Sequence, residues 1–468
     1  MFTAKVYSER RNRLRKEIKS GIVLFPGNRE AAFNYPANTY SFRQDSNFSY
    51  FFGLDHPDLA GVMDIDAGRD MIFGNDVDID DIIWMGKQPT MKEQSSLVGI
   101  DHSAPLKDLE DFIRTALSEG RQIHFPPPYR GETIIQLSDL LGIHHSEVRK
   151  KALEDEELIK AIIKLRMVKD PEEIAEIEKM VDVAYIMHTT AMKMAVPGII
   201  EREIAGVVEG IALSHGGPVS FPVILTINGQ TLHNHYHGNT LQEGRLLVID
   251  TGAESELHYA SDITRTVPVG GKFSQKQKEI YETVLNANLT AINAIKPGIP
   301  FRDIHLLAAR TIVEGLKNIR LMKGDVREAV DKGAHTLFFP HGLGHPLGLD
   351  VHDLEGLGEN LVGYDNEIIR SKEFTATRPW GALDIASMNG ITTRLHWTNE
   401  PYRWHVNDGE EVFAVLDGRV EMRYRENGRE HSTILETGDV FYASVGTEHV
   451  AHPVGQARIL VVETEGSA

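Results

Sequence analysis

Apolar residues in the first 150 or so positions come in short runs, such as Gly21–Phe25 and Asp70–Gly74, separated by stretches of helical character. Short apolar runs bounded by polar residues have the size of buried strands, and their alternation with helical stretches predicts a mixed α/β domain. From about Lys151 helix formers dominate through Lys193, with Ile174, Ile177, Val181 and Ala184 on one face. Pro171 suits a first helical turn and Asp170 a cap, so the segment reads as a linker helix leading into a second domain. That domain mixes strand-like runs (Phe221–Ile227, Arg245–Asp250, Thr264–Gly270) with helical ones (Gln275–Ile295, Phe301–Ile319). After about Thr375 the texture changes to short alternating strands joined by turns such as Asp417-Gly418-Arg419, and Trp380, Trp397 and Trp404 make up three of the four tryptophans. Three parts are expected: 1–150, 151–375 and 376–468, the last of different origin.

A chain of 468 residues is too long for one core, which agrees with that division. With 68 acidic against 49 basic residues the formal charge is −19, which argues against nucleic acid or an anionic membrane as partner. Cationic metals and small neutral substrates fit better. There is no cysteine, so disulfides, thiolate catalysis and sulfur-ligated zinc are excluded, and any metal must be held by oxygen and imidazole. The first residues are charged throughout and no stretch has the length and apolarity to span a bilayer, so the expected location is the cytoplasm.

Asp250 ends an apolar strand and Asp262 begins the next, so a hairpin would bring the two carboxylates together. Aspartates at strand ends are also ordinary turn formers. His341, His345 and His352 lie among glycines and apolar residues, where an imidazole needs either a hydrogen-bond partner or a metal. His233, His235 and His237 alternate, so on a strand they would share one face, a metal site or, better, one substrate-facing histidine.

The stretches from Ile249 to Glu254, Tyr259 to Thr266 and His341 to Asp353, taken together, resemble the creatinase, prolidase and aminopeptidase P group of pita-bread metallopeptidases, and most closely aminopeptidase P. Arg43–Asp58 is similar to the signature of that group's first domain, and Leu165–Ile177 resembles the entry to its catalytic domain. The resemblance covers residues 1 to about 374. It implies an N-terminal α/β domain and a pita-bread catalytic domain. It further implies a pair of divalent ions, usually manganese, and release of an N-terminal residue that precedes proline. By the match Asp250, Asp262 and His345 are metal ligands, and His233, His341 and His352 are active-site histidines. Hard oxygen donors suit manganese, and imidazoles can hold substrate and steady a tetrahedral intermediate.

The group's last two glutamate ligands have no clear counterpart here. Glu400 and Glu463 imitate them in spacing, but both fall within a different pattern. Asp250 and Asp262 offset only two of the four charges of two divalent ions, so the expectation is one weakly held ion or none, an incomplete dinuclear site.

That other pattern is His405, Asn407, Glu411 and Gly418, followed by Gly438, Gly446 and His449. It is similar to the two motifs of the cupin family, small β-barrels that often hold one metal. The likeness implies a barrel over 376–468 with His405, Glu411 and His449 as ligands of a single divalent ion. Asn407, Ser444 and Pro453 depart from the usual motif. Two functions stay open: an Xaa-Pro aminopeptidase acting on peptides with proline second, or an inactive pita-bread scaffold carrying a cupin binding module. A third reading makes the junction an accident of gene assembly. Loss of the last strands would leave sheet edges and apolar surface uncovered, with homo-oligomer formation as one remedy.

Overall fold

Strand Ile22–Pro26 is buried at every position because it runs inside a five-stranded sheet with both faces covered. The computed structural model describes residues 1–357, 371–388, 391–406, 409–426 and 428–464. It divides into two compact units: Met1–Gln277 with the segment that starts at Gly344, and Lys278–Leu343 with the C-terminal strands.

In the first unit the sheet order is His102–Ala104, Arg69–Phe73, Ala60–Asp64, Ile22–Pro26, Ile123–His124. Alternation sends Val23, Phe25, Met63 and Ile72 to one face and Ile22, Leu24, Ala60, Val62 and Phe73 to the other. On the first face packs the short helix Ser46–Phe52, whose Phe51 ring lies 4.8 Å from that of Phe25. Asp45 caps this helix, accepting from the amides of Asn47 and Phe48, both at 2.9 Å.

The expected linker helix is instead three helices, His145–Glu154, Glu156–Met167 and Pro171–Met194. The break at Asp155 follows from its side chain, which accepts from the Leu158 amide and pairs with buried His124 at 2.7 Å. The expected apolar face is also displaced. Ile174 and Val181 are exposed, and the buried stripe is Glu173, Met180, Ala184, Met187, His188 and Ala191. Glu173 takes the inward place because Arg10 and Tyr259 meet its carboxylate there, at 3.5 and 3.1 Å.

Helices Pro171–Met194 and Glu201–Ser214 pack with a three-stranded antiparallel sheet in the order Ile263–Pro268, Leu246–Thr251, Ile224–Thr226. Among the described residues no further strand joins either edge. This is an α/β N-terminal domain followed by a second domain of helices packed on an antiparallel sheet, as the sequence led us to expect.

The second unit contains helices Phe301–Asn318 and Val326–Asp331 and nine C-terminal strands in two antiparallel sheets. One has the order Gly381–Met388, Ile391–Thr398, Ala457–Thr464, Glu411–Asp417, Val440–Ala443; the other His405–Val406, Glu448–Pro453, Val420–Glu426, Arg429–Leu435. The expected closed barrel is therefore not formed: no ladder among the described residues joins the two sheets. They share a core of Phe413, Val415, Ile459 and Val461 from one and Val420, Met422, Leu435 and Ala451 from the other, which is sandwich packing. At the turn after Glu411–Asp417, Gly418 has φ +82°, and a Cβ there would lie 2.3 Å from the Gln456 carbonyl oxygen, so only glycine fits. No helix among the described residues is long and apolar enough to cross a membrane.

Candidate metal centre

Strands Leu246–Thr251 and Ile263–Pro268 pair so that Asp250 faces Thr264 and Thr251 faces Ile263, which places Asp262 just before the second strand and beside Asp250. The Thr264 hydroxyl donates to Asp250 Oδ1 at 2.6 Å. Burial, and then the neighbouring Asp262 carboxylate, push the Asp250 carboxyl up to about 6, against the Thr264 hydrogen bond and the nearby His233. Two carboxylates converging at a partly desolvated place are costly unless a cation lies between them.

His345 completes the row, its Nε2 3.0 Å from Asp262 Oδ2 and its Nδ1 3.0 Å from the Pro346 carbonyl oxygen. The hydrogen bond to Asp262 holds the His345 imidazole above its ordinary range. The His352 ring stacks on His345 with centroids 3.8 Å apart and pairs with Glu355 at 3.0 Å. Asp250, Asp262 and His345 thus form a chain of neighbours with Asp262 in the middle and not a mutual cluster; two carboxylates and an imidazole are donor types that suit a divalent cation, and the repulsion between the two carboxylates is what a cation would relieve.

His233, His235 and His237 do not lie on a strand; residues 231–239 form turns and irregular backbone. The Asn234 side chain accepts from the Tyr236 amide at 3.0 Å, a local turn that competes with pairing. His237 is thereby turned to the Val223 carbonyl oxygen at 3.0 Å, while exposed His233 acts electrostatically on Asp250. His341 belongs to the second unit, where Phe339 meets its ring edge-on at 4.9 Å.

Some participants were not foreseen from the sequence. His188, on the buried face of Pro171–Met194, lies 3.3 Å from the Thr251 carbonyl oxygen, and burial lowers its affinity for a proton. A histidine within a stripe of Met, Val and Ala was the available signal. Arg43 was missed because Glu254 lies 211 residues away, and His258 because Asp55 is comparably distant in sequence. Arg43 Nε donates to Glu254 at 2.9 Å, and His258 sits between Glu254 and Asp55 at 2.8 and 3.0 Å.

In the second unit the ligand atoms of His405, Glu411 and His449 lie within 4.8 Å of one another, with Glu411 and His449 buried. His405 and His449 face each other across paired strands, and His449 Nε2 is 3.4 Å from Glu411 Oε2. Asn407, the fourth member of the sequence pattern, lies outside the described residues. Glu463 stands directly opposite Glu411 in the ladder and 3.4 Å from Arg394. Glu400 is exposed, its carbonyl oxygen accepting from Trp380 Nε1 at 2.8 Å.

Residues 175–392 match metallopeptidase family M24, and residues 7–124 match the aminopeptidase P N-terminal domain. The chain is 32% identical over 347 residues to a probable Xaa-Pro aminopeptidase of Chaetomium globosum, covering 73% of this chain and 56% of that protein's length. It is 31% identical over 354 residues to the Xaa-Pro aminopeptidase of Escherichia coli, covering 72% of this chain and 79% of that one. Among solved structures it is similar to zinc-substituted Escherichia coli aminopeptidase P in complex with product, at 26% identity and a TM-score of 0.66, covering 85% of this chain and 87% of that one. The same coverage and identity, with a TM-score of 0.67, relate it to Pseudomonas aeruginosa aminopeptidase PepP.

Proposed function

The chain belongs to metallopeptidase family M24, with the Xaa-Pro aminopeptidases as its relatives, and on that premise we propose that it releases the N-terminal residue from peptides whose second residue is proline. The observation that carries this reading is the chain of neighbours from Asp250 to Asp262 at the end of one hairpin and from Asp262 on to His345. These three would hold a divalent cation, which the family implies, and hard oxygen donors favour manganese. Bound there, the cation would supply the Lewis acidity that peptide-bond hydrolysis at neutral pH requires.

The chain's own residues do the rest. Asp250 and Asp262 offset the two charges of one cation, so one ion is held rather than two. His352, stacked on His345 and tethered to Glu355, presents an imidazole beside the ligands, and His233 lies within electrostatic reach of Asp250. We assign His233 and His352 to holding the peptide and steadying the oxyanion that forms. An inactive scaffold draws no support from these relatives.

The test is metal content measured beside cleavage of an Xaa-Pro peptide. One equivalent of metal at this centre and hydrolysis that a chelator abolishes are expected; activity that survives the chelator, or none after reconstitution with manganese, overturns the reading.

A second reading concerns the C-terminal sandwich. The convergence of His405, Glu411 and His449 supports a binding module that holds a single divalent ion.

A further inference from the structure

On the reading that Asp250, Asp262 and His345 form a peptidase centre, we propose that Arg43 is a positioning residue: it clamps together the two backbone segments that carry Asp262, His345 and His352.

Arg43 touches none of these side chains. Its fork grips the segments between them. Nε donates to Glu254 Oε1 at 2.9 Å, on the loop that runs from Thr251 to Asp262. Nη2 donates to the Leu349 carbonyl oxygen at 2.5 Å and lies 3.7 Å from Asp350, in the strap between His345 and His352. Nη1 returns to its own domain, donating to the Gln44 carbonyl oxygen at 2.8 Å and to Ser46 Oγ at 2.9 Å, and Ser46 in turn donates to Asp350 at 2.5 Å. A guanidinium spreads five donors over three nitrogens of a rigid planar fork and so reaches acceptors several ångströms apart; an ammonium has three donors on a single nitrogen and cannot span them.

Both segments are already shaped to be held as units. The loop closes on itself through Ser261 N to Ala253 O at 2.9 Å, and the strap through Asp353 N to Pro346 O at 3.0 Å. They meet each other at Ala260 N to Gly348 O, 2.9 Å. A second grip supports the strap from the far side, where Arg166 bridges Asn47, Asp350 and Asp353. Residues Arg43 to Asn47, which also cap and start a helix, therefore reach across the first unit to set the spacing between Asp262 and His345. A shift of about 1 Å in such a spacing costs on the order of 100-fold in rate.

The experiment uses the full chain with Arg43→Ala, Arg43→Lys and Glu254→Gln. In the metal-free protein, Arg43→Ala is expected to raise amide exchange about tenfold in both 253–262 and 346–357 while leaving strand Ile22–Pro26 unchanged, a local opening rather than global unfolding. Glu254→Gln is expected to loosen 253–262 alone. With manganese and an Xaa-Pro peptide, kcat of Arg43→Ala should fall about 100-fold with KM little changed, Arg43→Lys should not restore it, and added guanidinium ion at sub-denaturing concentration should restore part of it. Unchanged protection in both segments, or kcat close to that of the parent, overturns the proposal. If the parent chain itself fails to cleave, the peptidase reading falls, and exchange in the metal-free variants alone decides the role of Arg43. Should Arg43→Ala not fold, Arg43→Lys and Glu254→Gln carry the same exchange comparison.

Discussion

Asp250→Asn is expected to stabilise the metal-free protein while abolishing stabilisation by metal. The carboxyl has an ordinary value of 3.8 and stands at about 6 in the fold, raised first by burial and then by Asp262. Its charged form is thus the disfavoured one, so the penalty is absent below about pH 4 and complete above about pH 6. At roughly 1.36 kcal/mol per pH unit that interval amounts to about 3 kcal/mol. Asp250 is partly exposed, and solvent screening leaves on the order of 1–2 kcal/mol. The asparagine keeps an oxygen to accept from Thr264 and carries no charge. At about 2–4 °C per kcal/mol, its melting temperature in chelator at pH 7.5 should exceed that of the parent by about 2–8 °C, with the gap closing toward pH 4. With saturating manganese the order should reverse, because only the parent gains binding energy. Thermal melts of both proteins with chelator and with manganese, across this pH range, make the comparison. A metal-free variant that melts at or below the parent at pH 7.5, or a gap that does not shrink with acid, would refute the reasoning.

Further outcomes follow from other contacts. His258 has a proton affinity raised to about 9, since Asp55 and Glu254 outweigh the effect of burial. Its stabilisation is full below its unfolded value of 6.5 and lost as pH rises toward 9, so His258→Asn should cost about 2 kcal/mol in denaturant titrations at pH 6 and little at pH 10. Arg166→Leu strands buried Asp353 beside Lys169 alone and should cost about 3–5 kcal/mol by the same titration. His449→Ala and Glu411→Gln should each remove the metal bound by the C-terminal sandwich, read by elemental analysis, and leave Xaa-Pro cleavage intact; retention of that metal would exclude the His405, Glu411, His449 site.

The hairpin that joins Asp250 to Asp262 was legible because strand ends and apolar runs are local signals. The family motifs were legible for a related reason: His345 and His352 sit in a segment whose glycines and prolines fix its path. Local pattern misled where tertiary partners decided. Ile174 and Val181 look like the inner face of their helix until Arg10, over a hundred residues earlier, draws Glu173 inward and turns the stripe. His233, His235 and His237 have the spacing of a strand face, yet the Asn234 side chain diverts the backbone. The cupin likeness implied a barrel, but short alternating strands state only that each strand has an inside and an outside; two facing sheets satisfy the pattern equally. The grip of Arg43 on Glu254 and Leu349 spans 211 and 306 residues, a separation no periodicity can announce.

Where the chain enters the C-terminal sandwich, Arg458 on one of its last strands donates to the Phe374 carbonyl oxygen and to Asp417, both at 2.7 Å, and approaches Thr375. The first and last stretches of this module are thus buckled to each other by its own side chain. Loosening either stretch leaves the Arg458 guanidinium half satisfied, so the two ends of the sandwich come free together and not one at a time.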